Sequence, residues 1–317
     1  MKYTRRGTLK MLSGSPLAAR ALAAGKEGKD TGDCKAPPLA KSKLRVALMQ
    51  VETRMDVQDN YRRALQMARE AGAEKPDLMV FPELFAMGLR PEGVAHDAQT
   101  VPGPASREFA AVARECGSHI IFGLPQRVSK GIYNTLALVG PSGLLDVYHK
   151  THLFYDAKTP FNNEQQIFLP GQRLGTFETS IGALGLFICH DGVYPEVPRC
   201  LTLNGADLLV WSLNDGQPMR WARDHVYYNM APLIAVNRVL KREGKPEGGG
   251  SVLLAADGKV ICQSHEPKEE CLIGEVDLAQ GRELRLNGQG MRAFFRVRRP
   301  DLYGAIVRRK ACREMSA

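Results

Sequence analysis

Four residues of this 317-residue chain have side chains suited to nucleophilic catalysis. Three of them end apolar runs: Glu83 after LMVF-Pro, Lys150 after LLDVYH, and Cys189 after LGLFI. The fourth, Glu164, lies in the loop FNNEQQIF. Short apolar runs read as buried strands, and strand ends are where a sheet presents polar side chains to a cleft. A cysteine attacks carbon as its thiolate, yet a free thiol has a pKa of about 8.5 and is mostly protonated at neutral pH. It needs a nearby base or cation, and the chain offers both residue types. Each residue alone has a plainer reading. Pro-Glu after a strand is usually an exposed turn, a lone Lys a solvated charge, and a Cys after an apolar run a small core residue.

The elements that must bring these positions together alternate along the chain. Leu44 to Val51, Leu78 to Phe81 and His119 to Gly123 read as strands. Asn60 to Ala73 and Ser106 to Gly117 read as helices between them, with apolar residues at helical spacing. Tyr133 to Val139 and Leu144 to Tyr148 flank a Gly-Pro-Ser-Gly turn. Leu184 to Ile188, Leu208 to Leu213 and Leu233 to Asn237 are further strands, with a helix over Trp221 to Ala231. Gly250 to Ala255 and Lys259 to Gln263 form a hairpin around Ala-Asp-Gly, and Leu272 to Val276 adds a last strand. This order argues for α/β layering.

Composition excludes several classes. Hydrophobic residues are 44% and charged ones 24%, as in an ordinary globular protein. No apolar run reaches the roughly 20 residues of a membrane helix, so no stable membrane span is expected. The net charge is +9, but Lys2, Arg5, Arg6, Lys10 and Arg20 supply more than half of it. The late basic cluster from Arg292 to Lys310 has no nucleic-acid-reading motif beside it, so no nucleic-acid partner is expected. There are seven Cys and no C-x-x-C pair. Cys262 and Cys271 flank an acidic turn and are candidates for a disulfide across a hairpin. His149 and His152 bracket Lys150 without an Asp or Glu at ligand spacing, so no metal is expected. Gly248-Gly249-Gly250-Ser251 lacks the Lys of a phosphate loop and precedes a strand.

The segments FPEL, YHKTHLF and ICHDGVYPE, in this order, resemble the three signature blocks of the nitrilase superfamily of carbon–nitrogen hydrolases. YNTLALVGPSG, AVNR, GGGSVLLAADGKV, GEVDL and RRPDLY extend the resemblance over about residues 43–303. It implies a four-layer α-β-β-α sandwich and a Glu–Lys–Cys triad. Cys189 would be the nucleophile, and Glu83 the base and acid that serves it. Lys150, with the His190 backbone N–H, would face the developing oxyanion. Glu164 would be an auxiliary carboxylate orienting Lys150 or the substrate nitrogen, with Asp156 as its competitor. Asp191 and Glu196 would brace the cysteine loop.

His190, Asn214 and Asp215 are the substrate-binding candidates, while Trp211 and Trp221 read as core or interface. Two positions depart from the family pattern. Tyr228 stands where a Glu is usual, which would change a structural salt bridge or the subunit interface, and Gly192 where a bulkier or charged residue is common, which would widen the pocket or alter its specificity.

The resemblance implies cysteine-dependent hydrolysis of a non-peptide C–N bond in a small amide or N-carbamoyl compound. Nitrile hydrolysis by the same triad and a catalytically silent exported scaffold are the alternatives. No cofactor is implied. A homodimer or larger homo-oligomer is expected from the family. At the N-terminus, Thr-Arg-Arg-Gly-Thr-Leu-Lys resembles a twin-arginine export signal, with cleavage expected after Ala23. Residues 1–23 would be a signal, 24–42 a linker, 43–303 the hydrolase domain and 304–317 a basic tail. The expected location is periplasmic or secreted, and otherwise cytoplasmic.

Overall fold

Within the first strand, Leu44, Val46 and Leu48 pack into one core while Ala47 and Met49 pack into another. That period-two split, with both faces buried, is the signature of a strand inside a layered sandwich. The structure is a computed structural model that describes residues 38–87, 91–156, 163–214 and 216–307. The expected signal, most of the linker, and the tail beyond residue 307 lie outside the described residues, as does Asp215.

The chain runs β1 (Lys43–Gln50), α1 (Val57–Gly72), β2 (Leu78–Val80), α2 (Pro91–Asp97), α3 (Pro104–Cys116), β3 (His119–Val128), β4 (Gly131–Gly140) and β5 (Gly143–His149). It continues through β6 (Thr176–Thr179), β7 (Gly182–Ile188), α4 (Glu196–Leu203), β8 (Leu208–Ser212), α5 (Met219–Asn229) and β9 (Leu233–Val236). It closes with β10 (Val239–Arg242), β11 (Lys245–Gly248), β12 (Val252–Leu254), β13 (Val260–Gln263), β14 (Glu270–Asp277) and α6 (Leu278–Asn287).

Two six-stranded sheets result, ordered β14-β1-β2-β3-β4-β5 and β13-β12-β9-β8-β7-β6. In each, three central strands are parallel and joined through helices, as the strand–helix alternation requires. Leu44, Val46, Leu78, Val80 and Ile121 of the first sheet meet Leu184, Leu186, Ile188, Val210 and Val236 of the second. On the outer face of the first sheet, Tyr61, Leu65, Phe109 and Val112 cover Met79 and Phe81. On the outer face of the second, Val197, Leu201, Ala222 and Val226 cover Phe187, Leu209 and Trp211. The layers are therefore α-β-β-α, as expected. No helix among the described residues is long and apolar enough to cross a membrane.

Two local expectations need correction, and one helix, α4, stands where none was expected. The β3 strand runs on through Pro125, past the Gly123 at which its apolar pattern stops. Beyond Ile121 its long pairing is with β4, and on the other side only Gln99 bridges it, at Pro125 O and Arg127 N–H, so the missing Pro125 N–H leaves no ladder bond unmade there. The α4 helix carries Pro198 in its first turn, where no intrahelical N–H bond is required. Cys262 and Cys271 do not face each other. Cys262 lies against the core between the sheets, Cys271 against the outer α1 layer, and both are free thiols. Their strands, β13 and β14, belong to different sheets.

Candidate active site

The site forms at the carboxyl ends of the parallel strands. After β2, Pro82-Glu83 turns into Leu84, whose φ of 43° is left-handed. The turn lies directly on β3. A Cβ at Gly123 would sit 2.5 Å from the Leu84 nitrogen and 2.6 Å from the Pro82 oxygen. Glu83 N–H donates to Leu213 O at the end of β8 (3.2 Å), tying this turn to the second sheet.

Lys150 follows β5, and its backbone extends the β4–β5 ladder by one bond, N–H to Asn134 O (2.9 Å). That register sets Asn134 and Lys150 side by side. Lys150 Nζ donates to Glu83 Oε1 (2.8 Å) and lies 2.8–2.9 Å from both oxygens of Glu164. Asn134 Nδ2 donates to the same Glu83 Oε1 (2.7 Å) and, at 3.4 Å, to Glu164 Oε1. Phe154 N–H holds Glu164 Oε2 at 2.7 Å. Glu83, Asn134 and Lys150 are each at most 1% exposed. Glu83 Oε2 and Asn214 Oδ1 are buried acceptors with no hydrogen-bond partner among the described residues.

Cys189 breaks the alternation of β7. Strand periodicity would send its side chain outward with Phe187, toward the helix layer. Instead a φ of 40° places it against the core between the sheets. A non-glycine residue held there costs roughly 1–3 kcal/mol, a cost that clusters at functional sites. The turn Cys189–Val193 is held from both sides. Asp191, fully buried, accepts Ile188 N–H (3.0 Å) and Tyr148 OH (2.8 Å) on one oxygen. Its other oxygen accepts His152 N–H (2.8 Å) and Thr151 OH (2.9 Å). On the outer side, Trp211 Nε1 donates to Cys189 O (3.0 Å) and His225 Nε2 to Gly192 O (2.9 Å).

Electrostatics assign the protonation states. Burial alone would lower the Lys150 pKa, but the charges of Glu83 and then Glu164 outweigh it and push it up, so Lys150 is an ammonium. Burial and then the Glu83 charge raise the Cys189 thiol, against the opposing pull of Lys150. The resting nucleophile is therefore a neutral thiol. Burial also raises Glu164, with Lys150 opposing and Glu83 adding. Burial and the Lys150 charge hold His190 below its ordinary pKa, leaving a neutral imidazole.

Glu83, Lys150 and Glu164 thus converge, and their charges act on Cys189. Asn214 also reaches Cys189, through its backbone N–H. His190 is half-buried, edge-on to Phe154 and Tyr194 at ring distances of 5.3 and 5.4 Å. Gly192 does not open the pocket. It is buried, and the space of its missing Cβ is taken by the Trp211 indole, 2.5 Å away. Tyr228 is exposed and packs on Phe294. Among the described residues no cluster of His, Cys, Asp and Glu fits a metal. Sequence reasoning gave Asn134 and Tyr148 no part in this site. A buried Asn inside the apolar β4 strand was the available signal for the first.

Comparison with known proteins shows the family and the fold. Residues 45–286 match a family model described as carbon–nitrogen hydrolase. A probable nitrilase of Schizosaccharomyces pombe is 33% identical over 84% of this chain and 99% of its own. An omega-amidase of Homo sapiens is 28% identical, again over 84% and 99%. Among solved structures, a carbon–nitrogen hydrolase from Helicobacter pylori superposes with a TM-score of 0.75 at 25% identity, over 84% of this chain and 99% of that one. An amidase from Nesterenkonia sp. AN1 superposes at 0.68 and 21% identity, over 84% and 98%. That structure carries the acetamide moiety of fluoroacetamide on its active-site cysteine.

Proposed function

Because the chain belongs to the carbon–nitrogen hydrolase family, we propose that it hydrolyses the C–N bond of a small amide or N-carbamoyl compound through a thioester on Cys189. The observation that carries this reading is the Lys150 ammonium, fixed between Glu83 and Glu164 and acting on a neutral Cys189 thiol.

Glu83 takes the thiol proton as sulfur attacks the carbonyl carbon. The new C–S bond pushes the carbonyl electrons onto oxygen, where Lys150 and the His190 N–H stabilise the negative charge. The C–N bond then breaks, and Glu83 returns the proton to the departing nitrogen. Water attacks the thioester, again losing a proton to Glu83, and the acid leaves as the C–S bond opens and the thiol is reprotonated. Glu164 and Asn134 hold Lys150 and Glu83 in place through both halves.

Amides are favoured over nitriles because Glu83 Oε2, buried and without a hydrogen-bond partner among the described residues, is an acceptor that an amide N–H can satisfy. A nitrile brings no such donor. Nitrile hydrolysis is the second reading, favoured by the name of the Schizosaccharomyces pombe relative. The test is ammonia and acid release by the purified protein on amides, N-carbamoyl amino acids and nitriles, beside Cys189→Ala. Turnover of amides or carbamoyl compounds, lost in the variant, is the expected result. Turnover of nitriles alone would displace the first reading. No turnover and an unreactive Cys189 would favour a silent scaffold.

Export and self-association belong to the same proposal. The Arg5-Arg6 motif supports twin-arginine export, checked by cell fractionation of the wild type against Arg5→Lys/Arg6→Lys. Exposed Tyr227, Tyr228, Met291 and Val297 support pairing of two copies, checked by sedimentation.

A further inference from the structure

Trp211 stands apart from the catalytic cluster, in the core between the second sheet and its helices, yet it bonds to the nucleophile's own carbonyl. Its indole is 2% exposed, stacked on Phe187 (5.6 Å) and edge-on to His225 (5.5 Å). A side chain packed this tightly has one direction in which to aim its N–H, and that N–H meets Cys189 O at 3.0 Å. A trans peptide is planar, with its C=O and N–H pointing opposite ways. Fixing Cys189 O therefore fixes the His190 N–H. The carbonyl points to the outer helix layer, where Trp211 lies. The N–H must then point to the inner side, where the Cys189 side chain sits and Lys150 and Glu83 meet.

Gly192 completes the device. A Cβ there would sit 2.5 Å from two indole carbons and 2.8 Å from Nε1. Any larger residue would push the indole off the Cys189 carbonyl. His225 holds the neighbouring Gly192 carbonyl from the same side, so both ends of the turn are fastened outward.

We infer that Trp211 is a positioning residue for the oxyanion site: its indole N–H orients the Cys189–His190 peptide so that the His190 N–H faces the developing charge, and Gly192 is the residue that admits the indole. The inference rests on the proposed hydrolase reading. It concerns the transition state of carbonyl attack and leaves the thiol itself untouched.

The test separates these two. Trp211→Phe keeps a ring and removes the N–H. 3-Benzothienylalanine in place of Trp211 keeps nearly the whole shape without the N–H, and serves should the phenylalanine variant fold poorly. Gly192→Ala displaces the indole. Each is assayed for kcat and KM on the amide that wild type turns over, and for Cys189 alkylation by iodoacetamide, a displacement at saturated carbon that forms no oxyanion. Deleting an oxyanion donor outright typically costs about 10²–10³ in kcat, so misdirecting one is expected to cost about tenfold or more.

The expected result is that loss in kcat, with KM within about twofold and the alkylation rate unchanged. The Gly192→Ala/Trp211→Phe double variant should be no worse than either single one. Wild-type kcat in the benzothienyl protein would overturn the inference, as would equal losses in kcat and alkylation, which would mean a displaced nucleophile. A wild type that hydrolyses no C–N substrate would remove the hydrolase reading and this inference with it. An active wild type with unaffected variants would remove the inference alone.

Discussion

Asp191 accepts the backbone N–H of Ile188 on one carboxylate oxygen and that of His152 on the other, so a single buried side chain clamps the cysteine turn to the lysine loop. Neither loop could otherwise know the position of its partner, since they are separated by the whole of β6 and β7. Burial alone would raise the Asp191 pKa, but the bonds from His152 and Ile188 outweigh it and hold the carboxyl below its usual range.

Asp191→Asn should therefore be costly. An amide NH₂ set against Ile188 N–H or His152 N–H leaves a buried donor unpaired, at about 1–3 kcal/mol for each such group. The sign of the pH effect follows from the lowered pKa. The stabilisation by Asp191 is present above the ordinary carboxyl pKa of about 3.9 and disappears as pH falls through the lower folded value. Urea unfolding at several pH values checks it. Wild type should lose stability below about pH 4, and the Asn variant should start lower and lose less over that range. Parallel curves for the two proteins would show that Asp191 carries no such charge.

Lys150→Met should damage both rate and fold. The ammonium is the counter-charge of two carboxylates, the buried Glu83 and the partly buried Glu164, each within 2.9 Å. Removing one partner of a buried ion pair costs about 3–5 kcal/mol. Removing the oxyanion cation should cut kcat by about 10²–10³. Glu164 is already raised by burial, and without Lys150 it rises further. A carboxyl with a raised folded pKa favours folding below that value and loses the benefit as pH rises. The deficit of the variant should thus shrink toward pH 5, as measured by thermal melts across pH. A deficit independent of pH would mean that the carboxylates do not govern it.

Asn134→Leu tests the residue that gave no sign of itself in sequence. Its Nδ2 donates to Glu83 Oε1 at 2.7 Å, and hydrogen bonds to a charged group are worth about 1.5–3 kcal/mol. Leucine fills similar space without the donor. A loss of that size in stability is expected, with kcat reduced about tenfold or more because Glu83 no longer has a fixed orientation. Steady-state kinetics and urea melts on the one variant decide it. Unchanged kcat with reduced stability would make Asn134 purely structural.

The parts of this molecule that could be read from sequence are those with local patterns. Glu83, Lys150 and Cys189 each end an apolar run, and the strands behind them lie where the runs do. The parts that could not be read arise where distant elements meet. Asn134 reaches Lys150 only through the β4–β5 register, and a lone Asn inside an apolar strand does not state its partner. Trp211 reaches Cys189 only because β7 and β8 pair in parallel with Phe187 opposite Trp211. Cys262 and Cys271 misled for the same reason. Strands that follow each other in the chain look like a hairpin, but β13 and β14 cap different sheets. Pro198 hid α4, because a proline in a first turn looks like one that breaks a helix.

The thiol itself provides the last prediction. Burial and the Glu83 charge both oppose a thiolate at Cys189, and Lys150 only partly compensates. A preformed thiolate would be one more negative charge beside two carboxylates and a single ammonium. Proton removal must then accompany attack, with Glu83 as the acceptor, rather than precede it. The wild-type-minus-Cys189→Ala difference in thiolate absorbance at 240 nm should show no step near pH 8.5–9, where an ordinary cysteine ionises. Glu83→Gln removes one of the two opposing causes and should bring the step to lower pH, while Lys150→Met should send it higher. The stability sign is the reverse of that for Asp191. Keeping the thiol neutral favours folding below the ordinary thiol pKa, and this contribution is lost as pH rises through the folded value. Wild type should therefore lose more stability than Cys189→Ala between pH 9 and 11. A step well below the ordinary thiol pKa would mean that Lys150 stabilises a resting thiolate, and Glu83 would then act only on the leaving nitrogen and the water.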